Sequence, residues 1–267
     1  MHWHCIYTAL KSGGVWSKCQ RLLIVWEAVK AKPGVLIMRR NILETSFFTT
    51  FCTIILSLAA ALMASAPAHA GKAWHEAHYD EKDDIRVFTR KVKGSDMMTF
   101  RAITHVKSTL TAPIALLEDA ERAHKWVFSC KAMALIEQVS NTSALYYMVT
   151  DMPWPVSNRD SISETSVSQD PDSYVVRVDI SARNDVFPEN DDHVRIRTMT
   201  GYWQMTPQDD GVIEVVYEAH ADPGGGLPSW LVNSFLVDAP LETLRGFRDL
   251  IGEEQYQTAS RQYIKNL

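Results

Sequence analysis

The chain has 267 residues, of which 46% are hydrophobic, and a formal net charge of −5. An acidic chain with no basic stripe excludes the electrostatic footprint of a nucleic-acid binder and gains little from anionic lipid surfaces. Of its four cysteines only Cys130 lies beyond the leader described next, so an exported chain would carry no internal disulfide and would rest on packing alone.

Residues 1–37 show no sustained pattern and read as an extension ahead of the true start at Met38. From there Met38-Arg39-Arg40 is a short basic start, residues 47–63 are apolar and uncharged, and Ala68-His69-Ala70 is a small-x-small site. This is the make-up of a secretory signal peptide cleaved between Ala70 and Gly71. An uncleaved anchor is the competing reading, because the run is close to the ~17-residue lower limit for crossing a bilayer; the Ala-x-Ala site favours cleavage. The expectation is one exported domain over residues 71–267, periplasmic or secreted, of a size that supports a single core.

Residues 74–79 and 85–91 are short extended runs around the charged turn Asp80-Glu81-Lys82-Asp83-Asp84, which predicts a hairpin. In residues 97–107, Met98, Phe100, Ala102, Thr104 and Val106 alternate with Thr99, Arg101, His105 and Lys107, one dry face against one wet. Thr111 is placed to cap a helix with Pro113 in its first turn and Ile114, Leu117, Ala120 and Ala123 inward, followed by a second helical piece ending near Trp126. Six more strands follow, at 132–139, 145–150, 159–168, 173–182, 194–205 and 212–221. In the seventh of the nine strands Tyr174, Val176, Val178, Ile180 and Ala182 share a face; in the last, Ile213, Val215, Tyr217, Ala219 and Ala221 oppose Glu214, Glu218 and His220. Short connections imply a mostly antiparallel sheet, and a sheet with one dry face must cover it with something.

The long apolar helix available for that is the last one. Gly224, Gly225 and Gly226 form a hinge, Pro228 suits a first helical turn, and Trp230, Val237, Leu241, Leu244 and Ile251 recur on one side of a 3.6-residue repeat. Pro240 removes one intrahelical bond and predicts a kink or a restart there, with Asp238 as a new N-cap.

Four phrases in this order, A-P-I-A-L-L-E-D-A-E-R-A-H-K-W (112–126), M-P-W-P-V-S-N-R-D (152–160), G-Y-W-Q-M-T-P (201–207) and A-D-P-G-G-G-L-P-S-W (221–230), resemble the START family, the lipid-transfer domains related to the steroidogenic acute regulatory protein. The resemblance spans nearly all of residues 72–252. It implies an α+β helix-grip fold of the START/Bet v 1-like kind, in which a curved antiparallel sheet grips the C-terminal helix around an apolar tunnel holding one lipid. The implied function is binding, and transfer, of a lipid or other small hydrophobic ligand by a monomer, through a gate of loop and helix, with transient membrane contact and no nucleic acid.

With the strand faces and the helix stripe, the resemblance places the ligand among Tyr146, Met148, Trp154, Arg159, Val178, Ile180, Val215, Tyr217, Trp230, Ser234, Val237 and Leu241. In family members the loop matching Pro153-Trp154-Pro155 is a lid. Two prolines stiffen it and present Trp154 toward the helix or a membrane interface, while the alternative is a ring tucked over the sheet edge. Arg159 shares its strand face with Ser161, Ser163, Thr165 and Val167. It needs an anionic or hydrogen-bonding partner, and Asp151 is a local candidate; a structural ion pair fixing the loop is the other reading. Where the sterol-carrying members resemble one another in a buried acid and arginine, this chain has Tyr146 and Thr165.

Catalytic patterns are missing from the sequence. His75 and His78 are three apart on a strand and point to opposite faces; no G-x-S-x-G, H-E-x-x-H or C-x-x-C occurs, and the triple glycine has no following Lys-Ser/Thr. No metal and no cofactor is expected, and Cys130 reads as a small buried hydrophobe. Two other classes stay open: an enzyme like the polyketide cyclases and aromatases, using Tyr146, Tyr217 and Arg159, and a module that takes a partner's apolar segment into its groove.

Overall fold

A computed structural model describes residues 73–189, 191–227 and 229–267; the leader and its cleavage point lie outside the described residues. Three strands open the fold: β1 (His75–Asp80), β2 (Ile85–Lys91) and β3 (Met98–Lys107). The first turn forms because the Asp80 Oδ1 accepts the backbone N–H groups of Lys82 and Asp83 at 3.0 and 3.3 Å, while Asp84 takes the left-handed backbone its short polar side chain tolerates. In β3 the dry face runs as expected through Ala102, Thr104 and Val106, but Thr99 on the opposite face is buried too, because its hydroxyl donates to Ala219 O at 2.9 Å.

Helix α1 (Thr111–Glu118) follows. Thr111 is its first residue rather than its cap. Its N–H donates to the Asn266 side chain at 3.0 Å, and the neighbouring Ala112 N–H donates to Thr109 Oγ1 at 3.2 Å. Asp119 ends α1 and accepts the Arg122 N–H, which starts a 3-10 segment, Ala120–Lys125, leading to buried Trp126.

The remaining strands are β4 (Cys130–Ser140), β5 (Ser143–Thr150), β6 (Arg159–Gln169), β7 (Val176–Ala182), β8 (Val194–Arg195), β9 (Thr198–Pro207) and β10 (Val212–Asp222). Their order in the sheet is β1-β2-β3-β10-β9-β7-β6-β5-β4, antiparallel throughout, with β8 added parallel to the start of β6. The expected strand at 194–205 is therefore two: Val194 and Arg195 pair with Arg159 and Asp160, and the chain turns away before rejoining the sheet as β9. Strand β7 begins later than its apolar pattern, because Asp170 Oδ1 gathers the N–H groups of Asp172 and Ser173 into a turn and Tyr174 has positive φ.

Helix α2 (Ser229–Ile251) lies against β2 and β3 and against α1, and α3 (Glu254–Gln257) closes the chain back onto α1. The expected restart at Asp238 does not occur. Pro240 sits inside one continuous helix, buried, and Asp238 is exposed on its outer side. The single backbone bond lost at proline is outweighed by the helix's buried side chains, Leu231 on one side of it and Leu241, Leu244, Phe247 and Ile251 on the other, each contributing roughly 1.5–3 kcal/mol. Phe247 belongs to this core and Val237, expected there, is half-buried.

Close approach at one point sets how α2 meets the rest. A Cβ on Gly246 would fall 2.6 Å from Trp126 Cα and 2.7 Å from its carbonyl oxygen, so the helix touches that backbone directly. Trp126, Trp203 and Phe247 pack around this point with ring centroids 5.6–6.2 Å apart. Cys130 is buried as a free thiol, and burial raises its pKa.

Candidate functional site

The dry face of the sheet is not filled solid. Between it and the first half of α2 lies a cavity of about 190 Å³, and between it and α1 a second of about 130 Å³. Val127, Met148, Met199 and Tyr217 wall both, so the two are adjoining lobes with these side chains at the boundary, or neck, between them. Their combined size is near the lower end of the ~300–1,000 Å³ common for small-molecule sites.

The first lobe is almost wholly apolar. Strand β3 contributes Met98 and Phe100, β10 contributes Ala219 and Ala221, the β5–β6 loop contributes Met152, and α2 contributes Val232, Phe235, Leu236 and Ala239. The second lobe mixes apolar walls, Ile114, Leu117, Val178, Ile180 and Trp203, with the hydroxyl-bearing Tyr146, Ser161, Ser163 and Thr165. Strand β6 thus turns one face, Arg159, Ser161, Ser163, Thr165 and Val167, along the whole space, as its alternation implies.

Tyr217 occupies the neck. Its ring stacks on Trp203 at 4.3 Å and meets Phe100 edge-on at 5.0 Å. Burial pushes this phenol up to about 12. Tyr146 is likewise pushed up to about 12, by burial first and by the nearby Glu118 second. Glu118 itself is engaged, accepting from Arg261 and Tyr263 at 2.7 Å each.

Among the described residues, Arg159 is the one charged group in the wall of the first lobe, and it is 2% exposed. It donates to three backbone carbonyls, Ser157 O at 2.5 Å, Gly224 O at 3.1 Å and Pro223 O at 3.3 Å. The first belongs to the loop before β6 and the other two to the segment before α2, so this side chain ties the loop to that segment. Burial lowers its pKa from the ordinary value. Asp151, the expected partner, instead lies 3.9 Å from Lys131 Nζ at the surface. Gly224, Gly225 and Gly226, expected as a hinge, all take positive φ, which glycine adopts without strain.

Of the expected lining residues, Tyr146, Met148, Arg159, Val178, Ile180 and Tyr217 stand in the cavity wall. Val215 and Leu241 do not; both are packed into the solid core. Val237 does not line either lobe. Trp154 is 93% exposed, neither over the sheet edge nor against the helix. The side chains of Trp230 and Ser234 lie outside the described residues. The helix stripe that faces the lobe, Val232, Phe235, Leu236 and Ala239, was passed over, although its spacing of three, one and three is itself a helical face. Met199 and Phe128 were also missed; the sequence around them carries no signal that separates a cavity wall from a core.

Among the described residues no group of His, Cys, Asp or Glu is arranged to hold a metal ion, and no helix is long and apolar enough to cross a membrane.

A family model described as the START domain matches residues 55–254. An uncharacterised protein of Pseudomonas aeruginosa is 36% identical over 191 residues, 72% of this chain and 93% of that protein. A crystallised fragment of a STAR-related lipid transfer protein from Xanthomonas axonopodis matches with a TM-score of 0.62 at 32% identity, over 67% of this chain and 99% of the other. Human StAR-related lipid transfer protein 5 matches with a TM-score of 0.59 at 15% identity, over 76% and 97% of the two chains, a likeness of fold alone.

Proposed function

We propose that this chain, which belongs to the START domain family, holds one lipid-like ligand in its two-lobed cavity, moves it between membranes and leaves it chemically unchanged. The observation that carries this reading is the first lobe: an apolar space of about 190 Å³ shared between the sheet and the stripe Val232, Phe235, Leu236 and Ala239 of α2. An alkyl chain entering it leaves water at roughly 25 cal/mol per Å² of apolar surface buried, less the ordering of chain and helix. The relative from Xanthomonas axonopodis is described as a lipid transfer protein, which supports the same reading.

The cavity's titratable groups favour carriage over turnover. Both wall phenols, Tyr146 and Tyr217, are pushed up to about 12 and stay protonated near neutral pH, and Glu118 is held by Arg261 and Tyr263. General acid–base catalysis works best with a pKa near the working pH, and neither phenol is poised there.

Uptake needs a gate, and the gate of this reading is the loop of residues 151–158 against the first half of α2. Met152 of the loop and Val232, Phe235 and Leu236 of the helix wall the same lobe, and the three hinge glycines precede the helix. Export is part of the same proposal, supported by the small-x-small site at Ala68-His69-Ala70, with the protein acting as a monomer that touches membranes transiently.

Mass spectrometry of an organic extract of the protein from its own host tests the reading, together with transfer between liposomes. One bound lipid-like species and measurable transfer are expected; an empty extract with no transfer refutes it. The gate is tested in a Cys130→Ser background carrying Met152→Cys and Phe235→Cys. Oxidation is expected to stop exchange and reduction to restore it, and undiminished exchange by the fully cross-linked protein rules out this route.

A further inference from the structure

Arg159 has a fixed positive charge, an apolar lobe in front of it and no counter-ion. Its three partners are carbonyl oxygens, which accept hydrogen bonds but do not neutralise a cation. The carboxylates nearest in the chain are committed elsewhere. Asp160 is held by Arg195 through two bonds of 2.8 Å, Asp151 stands beside Lys131, and Asp222 caps the Gly224 N–H at 2.9 Å. Among the described residues no acid pairs with the guanidinium, and an unpaired buried charge is among the most costly features a fold can hold. Three carbonyls also leave part of the five-donor fork unused. A Cβ at Gly225 would lie 3.4 Å from Nη2, so the absence of a side chain there keeps space open beside the donors.

We propose that the ligand supplies the missing charge: it is an amphiphile whose anionic headgroup, a carboxylate or a phosphate, binds Arg159, while its chain lies along the first lobe toward Tyr217. This rests on the reading of the cavity as a lipid site and narrows it to anionic lipids. A carboxylate or phosphate fits the planar fork with charge-assisted bonds that a hydroxyl or an ester cannot match. The same site explains how cargo and gate are linked. Arg159 holds Ser157 of the loop and Pro223 and Gly224 of the hinge, so a headgroup that binds its remaining donors fastens the ligand where the gate is tied shut.

The test titrates the delipidated full chain with three twelve-carbon probes, dodecanoate, dodecyl phosphate and dodecanol, below their aggregation limits, and follows tryptophan fluorescence. At least one anion is expected to bind about 10-fold or more tightly than dodecanol, and the two anions compared identify the headgroup. Arg159→Gln is expected to abolish that preference, so that neither anion binds the variant more tightly than dodecanol does, and Arg159→Lys to retain part of it. Equal affinity for all three probes overturns the proposal but leaves the lipid site standing. A uniform loss for all three in Arg159→Gln also overturns it, since that is how a purely structural arginine behaves. If Arg159→Gln does not fold, the comparison of the three probes on the unmodified chain decides alone. Failure of every probe to bind removes the lipid site and this proposal together.

Discussion

Asp160 and Arg195 meet through two parallel bonds of 2.8 Å, with side chains 1% and 2% exposed. The pair anchors β8 on β6 and so holds the segment that leads from the surface loop into β9. Removing one partner leaves the other charged and buried, and we expect Asp160→Asn to destabilise the fold by about 3–5 kcal/mol in urea unfolding. Burial is the largest single influence and raises the Asp160 carboxyl, but the hydrogen bonds and charge of Arg195, with the Tyr147 hydroxyl and His193, together outweigh it and hold it below the ordinary carboxylate value. A carboxyl depressed in the folded state stabilises above its unfolded pKa and loses that contribution as pH falls through the folded one. The gap between the parent and Asp160→Asn should therefore be constant at neutral pH and narrow below about pH 4. A gap that does not change with acid would contradict this account.

Gly246→Ala sets two effects against each other. Alanine in a helix interior is favoured over glycine by about 1 kcal/mol. The added methyl, however, would stand 2.6 and 2.7 Å from the backbone of Trp126, which cannot rotate away as a side chain would. Overpacking of that kind costs about 1–3 kcal/mol, so the variant is expected to melt at lower temperature. A rise in melting temperature would show that α2 is free to slide off Trp126.

The strands were legible in the chain because one wet and one dry face leave a two-residue period, as in β7 and β10. Strand β8 was not, since a two-residue parallel pairing that depends on Asp160 and Arg195 has no local signature. The cavity wall was legible on the strands and not on the helix. Leu241 and Val237, and the stripe from Val232 to Ala239, are all apolar positions on helical spacing, and periodicity does not distinguish a face against empty space from a face against side chains. At Pro240 the restart half of the expectation failed for the opposite reason: a local rule for breaking helices was overridden by burial on both sides of it. Arg159 announced itself as a charge on a strand face that runs inward, but the absence of an acid facing it emerged only in three dimensions.

Filling the first lobe should separate binding from folding. Ala219→Trp places a large ring in the space beside Phe100 and Gly201, its neighbours across the ladders of β3 and β9. We expect an extract depleted of ligand from a protein that retains its far-ultraviolet dichroism. Undiminished ligand in the folded variant would move the site out of this lobe.

Trp154, at 93% exposure, makes little contact whose loss could destabilise the chain. Trp154→Ser should change unfolding free energy by no more than about 0.5 kcal/mol. An exposed indole is at home at a membrane interface, so the same variant should sediment less with liposomes. Equal sedimentation of variant and parent would remove Trp154 from membrane contact.

The central position of β10 has a consequence for the timing of folding. Thr99 donates to Ala219 across 120 residues of chain, and β3 pairs along its length with β10 rather than with any strand made sooner on that side. While the polypeptide is being synthesised, the first three strands therefore offer an unpaired edge until the last strand has emerged, and the ladder that joins them to the rest of the sheet closes late. Such long-range pairing is intrinsically slow, because the loop must be closed before the contacts reward it.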